Sequence, residues 1–182
     1  MPLPLETPRL VLREMAEEDW RDIDAYNRDA AFHRFLPIEP PDAEATRGFV
    51  RLCLVRARAR PRRHYDPVIV ERASGQTLGT LRLTVRRPGV ADIGYAIRPD
   101  RWNRGFASEA IAAFLAALQP RLALAELWAM VDPANAASRR VMEKLGFERC
   151  TGEVGPPIKA SRPASLVYVL RYGGALAAER AA

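Results

Sequence analysis

The chain has 182 residues, 48% of them hydrophobic, which suits one globular domain with one core. No apolar run approaches the ~18 residues of a membrane span, so a membrane protein is not expected. The net charge of +6 rests on 26 arginines and only two lysines, Lys144 and Lys159, a pattern that coding bias explains more simply than nucleic-acid binding does.

The opening M-P-L-P-L-E-T-P-R-L carries two early prolines and an acid but no hydrophobic signal core. A cytoplasmic protein is therefore expected. Arg9 to Arg13 alternates as a half-buried strand does. Glu17, Glu18 and Asp19 then open a helix to about Asn27, favourably placed against its dipole. Pro37, Pro40 and Pro41 break the chain, so Phe32 to Pro41 reads as a loop. Asp42 reads as the N-cap of a second helix over Ala43 to Arg58. The basic run Arg51 to Arg63 overlaps that helix and lacks interleaved aromatics, so a solvated face is expected there.

Pro67 to Arg72 and Leu78 to Val85 read as a hairpin around the turn Ser74-Gly75. Val90 to Ile97 is a third strand with Gly94 inside it, which marks a bulge or a close backbone approach. A short basic loop with a glycine follows. Helix Ala107 to Leu118 comes next, with its apolar stripe at Ile111, Phe114, Leu115 and Leu118, and Pro120 is expected to stop it. Glu126 to Val131 is a strand. Asn135 to Leu145 is a helix with Lys144 in its last turn and Gly146 just beyond. Phe147 to Glu153 and Leu166 to Tyr172 are the last strands, separated by the loop Gly155 to Pro163, and residues 173–182 form a tail. Hairpins come first and crossovers later, which predicts a mixed α/β sheet in a single domain with its core over about residues 6–172.

The loop before the Ala107 helix is the first chemical signal. Free N–H groups at a helix start attract an anion, and Gly105 lets the backbone come close to it. Arg101 and Arg104 lie in that loop. A phosphate or pyrophosphate fits there, although an ordinary strand-to-helix turn would look alike. The two cysteines, Cys53 and Cys150, and the two histidines, His33 and His64, have no metal-ligand spacing, so no metal is expected.

Two segments together are more specific than either alone: W-N-R-G-F-A at 102–107, and D-P-A-N-A-A-S-R-R-V-M-E-K-L-G-F at 132–147. In this order they resemble the GNAT superfamily of N-acetyltransferases. The segments T-P-R-L-V-L-R and D-I-G-Y are similar to the branch with the RimJ and RimL ribosomal-protein acetyltransferases. The resemblance implies a GNAT-like domain with flanking helices. Its mostly antiparallel sheet would have six to seven strands and a splayed central strand pair. It also implies acetyl-CoA as the acetyl-donor cosubstrate.

Coenzyme binding is then expected at Trp102, Asn103, Arg104, Gly105, Phe106, Ala107 and Ser108. The backbone of Ala96 and Ile97 would bind the pantetheine arm, with Gly94 fitting the distortion this requires. Asn135 is expected near the pantetheine amide and Ser138 near the sulfur, as proton donor to the departing thiolate. Asp92 is the base candidate, against the plainer reading of an exposed strand carboxylate, and His33 is the alternative. Tyr95 and Tyr168 are expected to pack. The acceptor would be a primary amine, on a protein N-terminus, an amino acid or another small amine, bordered by Phe32–Pro41, Ala43–Arg58 and Gly155–Pro163. A monomer or homodimer is expected. The rival class is a non-catalytic module that binds coenzyme A or, through Arg51–Arg63, nucleic acid.

Overall fold

A computed structural model describes residues 3–36, 39–151 and 165–173. In chain order these form strands β1 (Leu5–Glu6) and β2 (Leu10–Arg13), a 3-10 turn at Glu17–Asp19, and helices α1 (Trp20–Asn27), α2 (Ala30–His33) and α3 (Ala43–Arg58). Strands β3 (His64–Tyr65), β4 (Val68–Glu71), β5 (Thr77–Arg87) and β6 (Val90–Ile97) follow. Helix α4 (Phe106–Leu122), strand β7 (Glu126–Val131), helix α5 (Ala136–Lys144) and strands β8 (Glu148–Arg149) and β9 (Leu166–Arg171) complete the chain.

All nine strands among the described residues join one sheet, in the order β1-β2-β4-β5-β6-β7-β9-β8, with β3 on β5. Only the β6–β7 pair is parallel. The six or seven strands expected become nine because β1 and β3 are two-residue strands, too short for alternation to mark. Three further expectations are corrected. The Phe32–Pro41 loop begins inside α2, whose N-cap Asp29 accepts the Ala31 N–H. Pro120 does not stop α4; it sits in the last turn, and a left-handed Ala123 (φ 44°) ends the helix at Leu122. The strand expected from Phe147 is confined to Glu148–Arg149 among the described residues. The Gly155–Pro163 loop and residues 174–182 lie outside the described residues.

The sheet separates two apolar layers. On one face, α4 buries Ile111, Phe114 and Leu118 against Leu10, Leu12, Leu83, Ile93 and Leu127. Each such side chain stabilises the fold by about 1.5–3 kcal/mol. On the other face, α1 and α3 bury Ile23, Tyr26, Val50 and Cys53 against Val68 and Val70. Alternation along β6 assigns Ile93, Tyr95 and Ile97 to the α4 face, and Asp92, Gly94 and Ala96 to the α1–α3 face.

Candidate active site

The sheet opens at its centre. The parallel β6–β7 pairing runs from Val90–Glu126 to Ile93–Ala129 and stops, although β6 continues to Ile97 and β7 to Val131. The register decides which groups face this gap. Leu81 N–H bonds the Pro67 carbonyl (2.9 Å), while Arg98 N–H bonds the Leu78 carbonyl (2.8 Å). Even-numbered residues of β6 therefore turn their backbone toward β5, and Tyr95 and Ile97 turn theirs into the gap. Of the two residues expected to offer backbone groups there, Ile97 does so and Ala96 does not. A Cβ on Gly79 would stand 2.0 Å from the Ala96 carbonyl oxygen, which shows how closely that carbonyl abuts β5.

A cavity of about 400 Å³ lies on the α4 side of the gap. Trp102, Asn103, Gly105, Phe106, Ala107 and Ser108 line one wall, Asn135 and Ser138 the opposite one, and Ala96 and Ile97 the strand edge. The helix-start loop is shaped for close approach. Asn103 (φ 59°) and Gly105 (φ 77°) are both left-handed, a conformation glycine adopts freely and asparagine tolerates. The first N–H groups of α4, at Phe106, Ala107 and Ser108, have no helical acceptor. Arg9 pins the loop from below. Its guanidinium donates to the Arg104 carbonyl (2.9 Å), pairs with Glu109 (2.6 Å) and stacks 4.5 Å over Phe106. Burial pushes the Glu109 carboxyl up, but hydrogen bonds from Thr7 and Arg9 outweigh it, and the net shift is downward. From strand to loop, the Trp102 indole N–H donates to the Ile97 carbonyl (2.6 Å).

The Arg104 side chain does not line the cavity, contrary to expectation; Arg101 does. Its Nη1 donates to Asp100 (2.9 Å), while its Nε is buried without a partner. The free N–H groups at the start of α4, with the Arg101 guanidinium charge lining the same cavity, fit a bound pyrophosphate. Arg140 and Lys144 of α5 line the same cavity, one turn apart on one helix face.

Asn135 caps α5, its Oδ1 accepting the Ser138 N–H at 2.9 Å. Tyr95 packs against the core as expected, and it also donates its hydroxyl hydrogen to Ser138 Oγ at 3.0 Å. Burial raises the Tyr95 hydroxyl above its ordinary pKa, and the bond to Ser138 pulls the other way. The two residues are 43 positions apart, so nothing local in the sequence joins them. Tyr168 is buried and packs as expected.

A second cavity, of about 440 Å³, opens on the α1–α3 side. It shares Phe32, Phe35, Leu36, Tyr95, Ala96, Met130, Val131, Asp132 and Ser138 with the first, so the two cavities are continuous through the gap. Tyr26, Phe32, Phe35 and Phe49 wall it, and Arg82, Asp92 and Gly94 form part of its floor. Asp92 is buried, 1% exposed, so the plainer reading of an exposed strand carboxylate is overturned. Its Oδ1 accepts from Arg86 Nε and its Oδ2 pairs with Arg82 (3.5 Å). Gly94 carries no distortion: β5–β6 register is unbroken from Gly79 to Val85, and the missing side chain seats the Arg82 guanidinium. His33 lines neither cavity; it is buried, and its Nε2–H donates to the Asn27 carbonyl at 2.8 Å. In the basic run, Arg51 pairs with Glu44 (3.1 Å), and Arg62 pairs with Glu14 (2.7 Å) and stacks over Tyr65. Among the described residues no three His, Cys, Asp or Glu side chains group to hold a metal, and no helix is long and apolar enough to cross a membrane.

Residues 9–148 match the family model described as an acetyltransferase (GNAT) domain. The chain is 29% identical over 147 residues to an uncharacterized N-acetyltransferase of Bacillus subtilis, YoaA, covering 80% of this chain and 82% of that protein. Two solved structures share the fold. RimJ of Mycobacterium smegmatis, in complex with a CoA-disulfide, aligns with a TM-score of 0.70 at 22% identity, covering 89% of this chain and 81% of that one. A RimL ribosomal alpha-N-protein acetyltransferase in complex with coenzyme A aligns with a TM-score of 0.75 at 16% identity, covering 91% and 95%.

Proposed function

Because this chain belongs to the acetyltransferase (GNAT) family and is an acetyl-CoA-dependent acyltransferase, we propose that it transfers acetyl directly to a primary amine held in the α1–α3 cavity. The acceptor class spans a protein N-terminus, an amino acid or another small amine. The observation that carries this reading is the passage through the sheet. Two cavities on opposite faces share Tyr95 and Ser138, so donor and acceptor enter from different sides and meet at the gap.

The α4 N–H groups and Arg101 are assigned to the pyrophosphate, and the Tyr95 and Ile97 backbone to the pantetheine arm. A free N–H at the gap stabilises charge developing on the acetyl oxygen. In the reaction an N–C bond forms and a C–S bond breaks. The amine sheds one proton and the sulfur takes one up. Ser138 gives its proton to the departing thiolate, whose free pKa is about 8.5. Tyr95, already donating to Ser138 Oγ, resupplies it, and the proton released by the amine restores the pair through water. A peptide α-amine with a pKa of about 7.7–8.0 is roughly half neutral or more near pH 8 and needs little help from a base. Asp92, engaged by two guanidinium groups, is placed outside the proton path.

The test is the melting temperature of the protein with acetyl-CoA, with adenosine as control. At 100 times its dissociation constant a ligand stabilises by about 2.7 kcal/mol, several degrees for this size. That shift, followed by thiol release when amines are added, is the expected result. No shift at millimolar acetyl-CoA overturns the donor site, and a shift without thiol release for any amine overturns the transfer reading.

A further inference from the structure

We propose that Arg82 selects the acceptor, its guanidinium binding a carboxylate that the acceptor carries close to its reactive amine. The inference rests on the transfer reading above and names the chemistry of the acceptor.

Arg82 is the only cation among the described residues that line the α1–α3 cavity. Its side chain is 53% exposed although it springs from a central strand. The guanidinium lies across Gly94, where an added Cβ would stand 3.3 Å from Nη2. Gly94 precedes Tyr95, so the guanidinium lies over a residue whose Cα is ~3.8 Å from that of the gap residue. The Arg82 charge is only partly offset by its ion pair with Asp92. Asp92 is engaged directly by Arg86, and its contact with Arg82 is the longer one, at 3.5 Å. Two arginines around one carboxylate leave a net positive charge, and the exposed member of the cluster that faces the cavity is Arg82.

The rest of the wall fits an amphiphilic small acceptor. Tyr26, Phe32, Phe35 and Phe49 offer apolar contact to a side chain. The other acidic residue of the cavity, Asp132, lies at the neck shared with the donor side, its Oδ1 accepting the Ala134 N–H at 2.9 Å. Positive floor, apolar wall and negative neck match a molecule with amine and carboxylate a few bonds apart. Two sources supply that chemistry: the α-carboxylate of a free apolar amino acid, or the side-chain carboxylate of an acidic first residue on a peptide.

The experiment compares kcat/KM for leucine, leucine amide and an Asp-Leu amide dipeptide at saturating acetyl-CoA. For the wild type, one of the two carboxylate acceptors is expected to exceed leucine amide by tenfold or more, the scale of a charge-assisted contact. Which of them it is separates the free amino acid from the peptide. Arg82→Gln should collapse that ratio toward one through KM rather than kcat, and Arg82→Lys should restore part of it. Gly94→Ala, which keeps the charge but displaces the guanidinium, should lower the ratio partway. Calorimetry of the same acceptors against the protein saturated with coenzyme A reads the preference without turnover. A wild type that favours the amide, or a preference that survives Arg82→Gln, overturns the carboxylate site. Arg82-dependent binding of a carboxylate acceptor with no turnover of any amine sustains the site and overturns the transfer reading alone.

Discussion

Tyr95 on β6 and Ser138 on α5 meet hydroxyl to hydroxyl at 3.0 Å, on the wall that the two cavities share. Tyr95→Phe keeps the ring and removes only the donor. Its kcat should fall about 10-fold to 100-fold, up to the lower end of the range for general acid catalysis, and that of Ser138→Ala by a similar or larger factor. KM for acetyl-CoA should change little. Groups that act as one relay are non-additive, so the double variant should be little worse than Ser138→Ala. Steady-state kinetics of the four proteins checks this, and additive losses would separate the two roles.

Gly79 holds β5 against β6 opposite Ile97. A methyl group there would stand 2.0 Å from backbone, which cannot swing aside as a side chain does. Gly79→Ala should cost about 1–3 kcal/mol, as overpacking does, and should weaken acetyl-CoA binding by moving Ile97. A urea titration and a thermal shift with acetyl-CoA would read the two effects separately.

Gly105 poses a different problem. An added Cβ would meet only Arg9 Nη2 at 3.5 Å, an ordinary contact, but φ is 77°. The cost of Gly105→Ala is therefore conformational, about 1–2 kcal/mol. Relief of that strain would reshape the loop that leads into α4. Acetyl-CoA affinity should drop about tenfold in calorimetry, with acceptor KM little altered.

Asp66 gives the fold a pH dependence. It is 5% exposed, and its Oδ2 has no partner. Burial raises its carboxyl pKa despite the opposing charges of Arg56, Arg82 and Arg62. A group whose folded pKa is raised stabilises most below its unfolded value, near 3.9, and loses that contribution as pH climbs through the folded value. Asp66→Asn should therefore gain melting temperature over the wild type as pH goes from 4 to 8. A difference that shrinks with rising pH would contradict this.

The order of the long elements was readable because each carried its own period: the stripe Ile111, Phe114, Leu115, Leu118 for α4, and alternation for β2. The helix-start loop was readable because its glycine and the two flanking elements are local. The packing of Tyr95 was readable, but its hydroxyl bond was not, because its partner Ser138 comes from a helix far along the chain. The ion pairs of Asp92 were not legible because Arg82 and Arg86 reach it only through the β5–β6 register. Arg101 and Arg104 look alike in sequence. The left-handed turns at Asn103 and Gly105 decide that the first faces the cavity while the second gives its carbonyl to Arg9.

Where β6 and β7 part, the amides of Tyr95 and Ile97 sit inside a nine-stranded sheet without a strand partner. The usual gradient of solvent hydrogen exchange, slow at the centre of a sheet and fast at its rim, is inverted there. These two positions should trade deuterium as quickly as loop amides in the free protein and fall silent once an extended ligand supplies the missing acceptors. Two resonances at the middle of the molecule would then report occupancy that no edge of the sheet can sense.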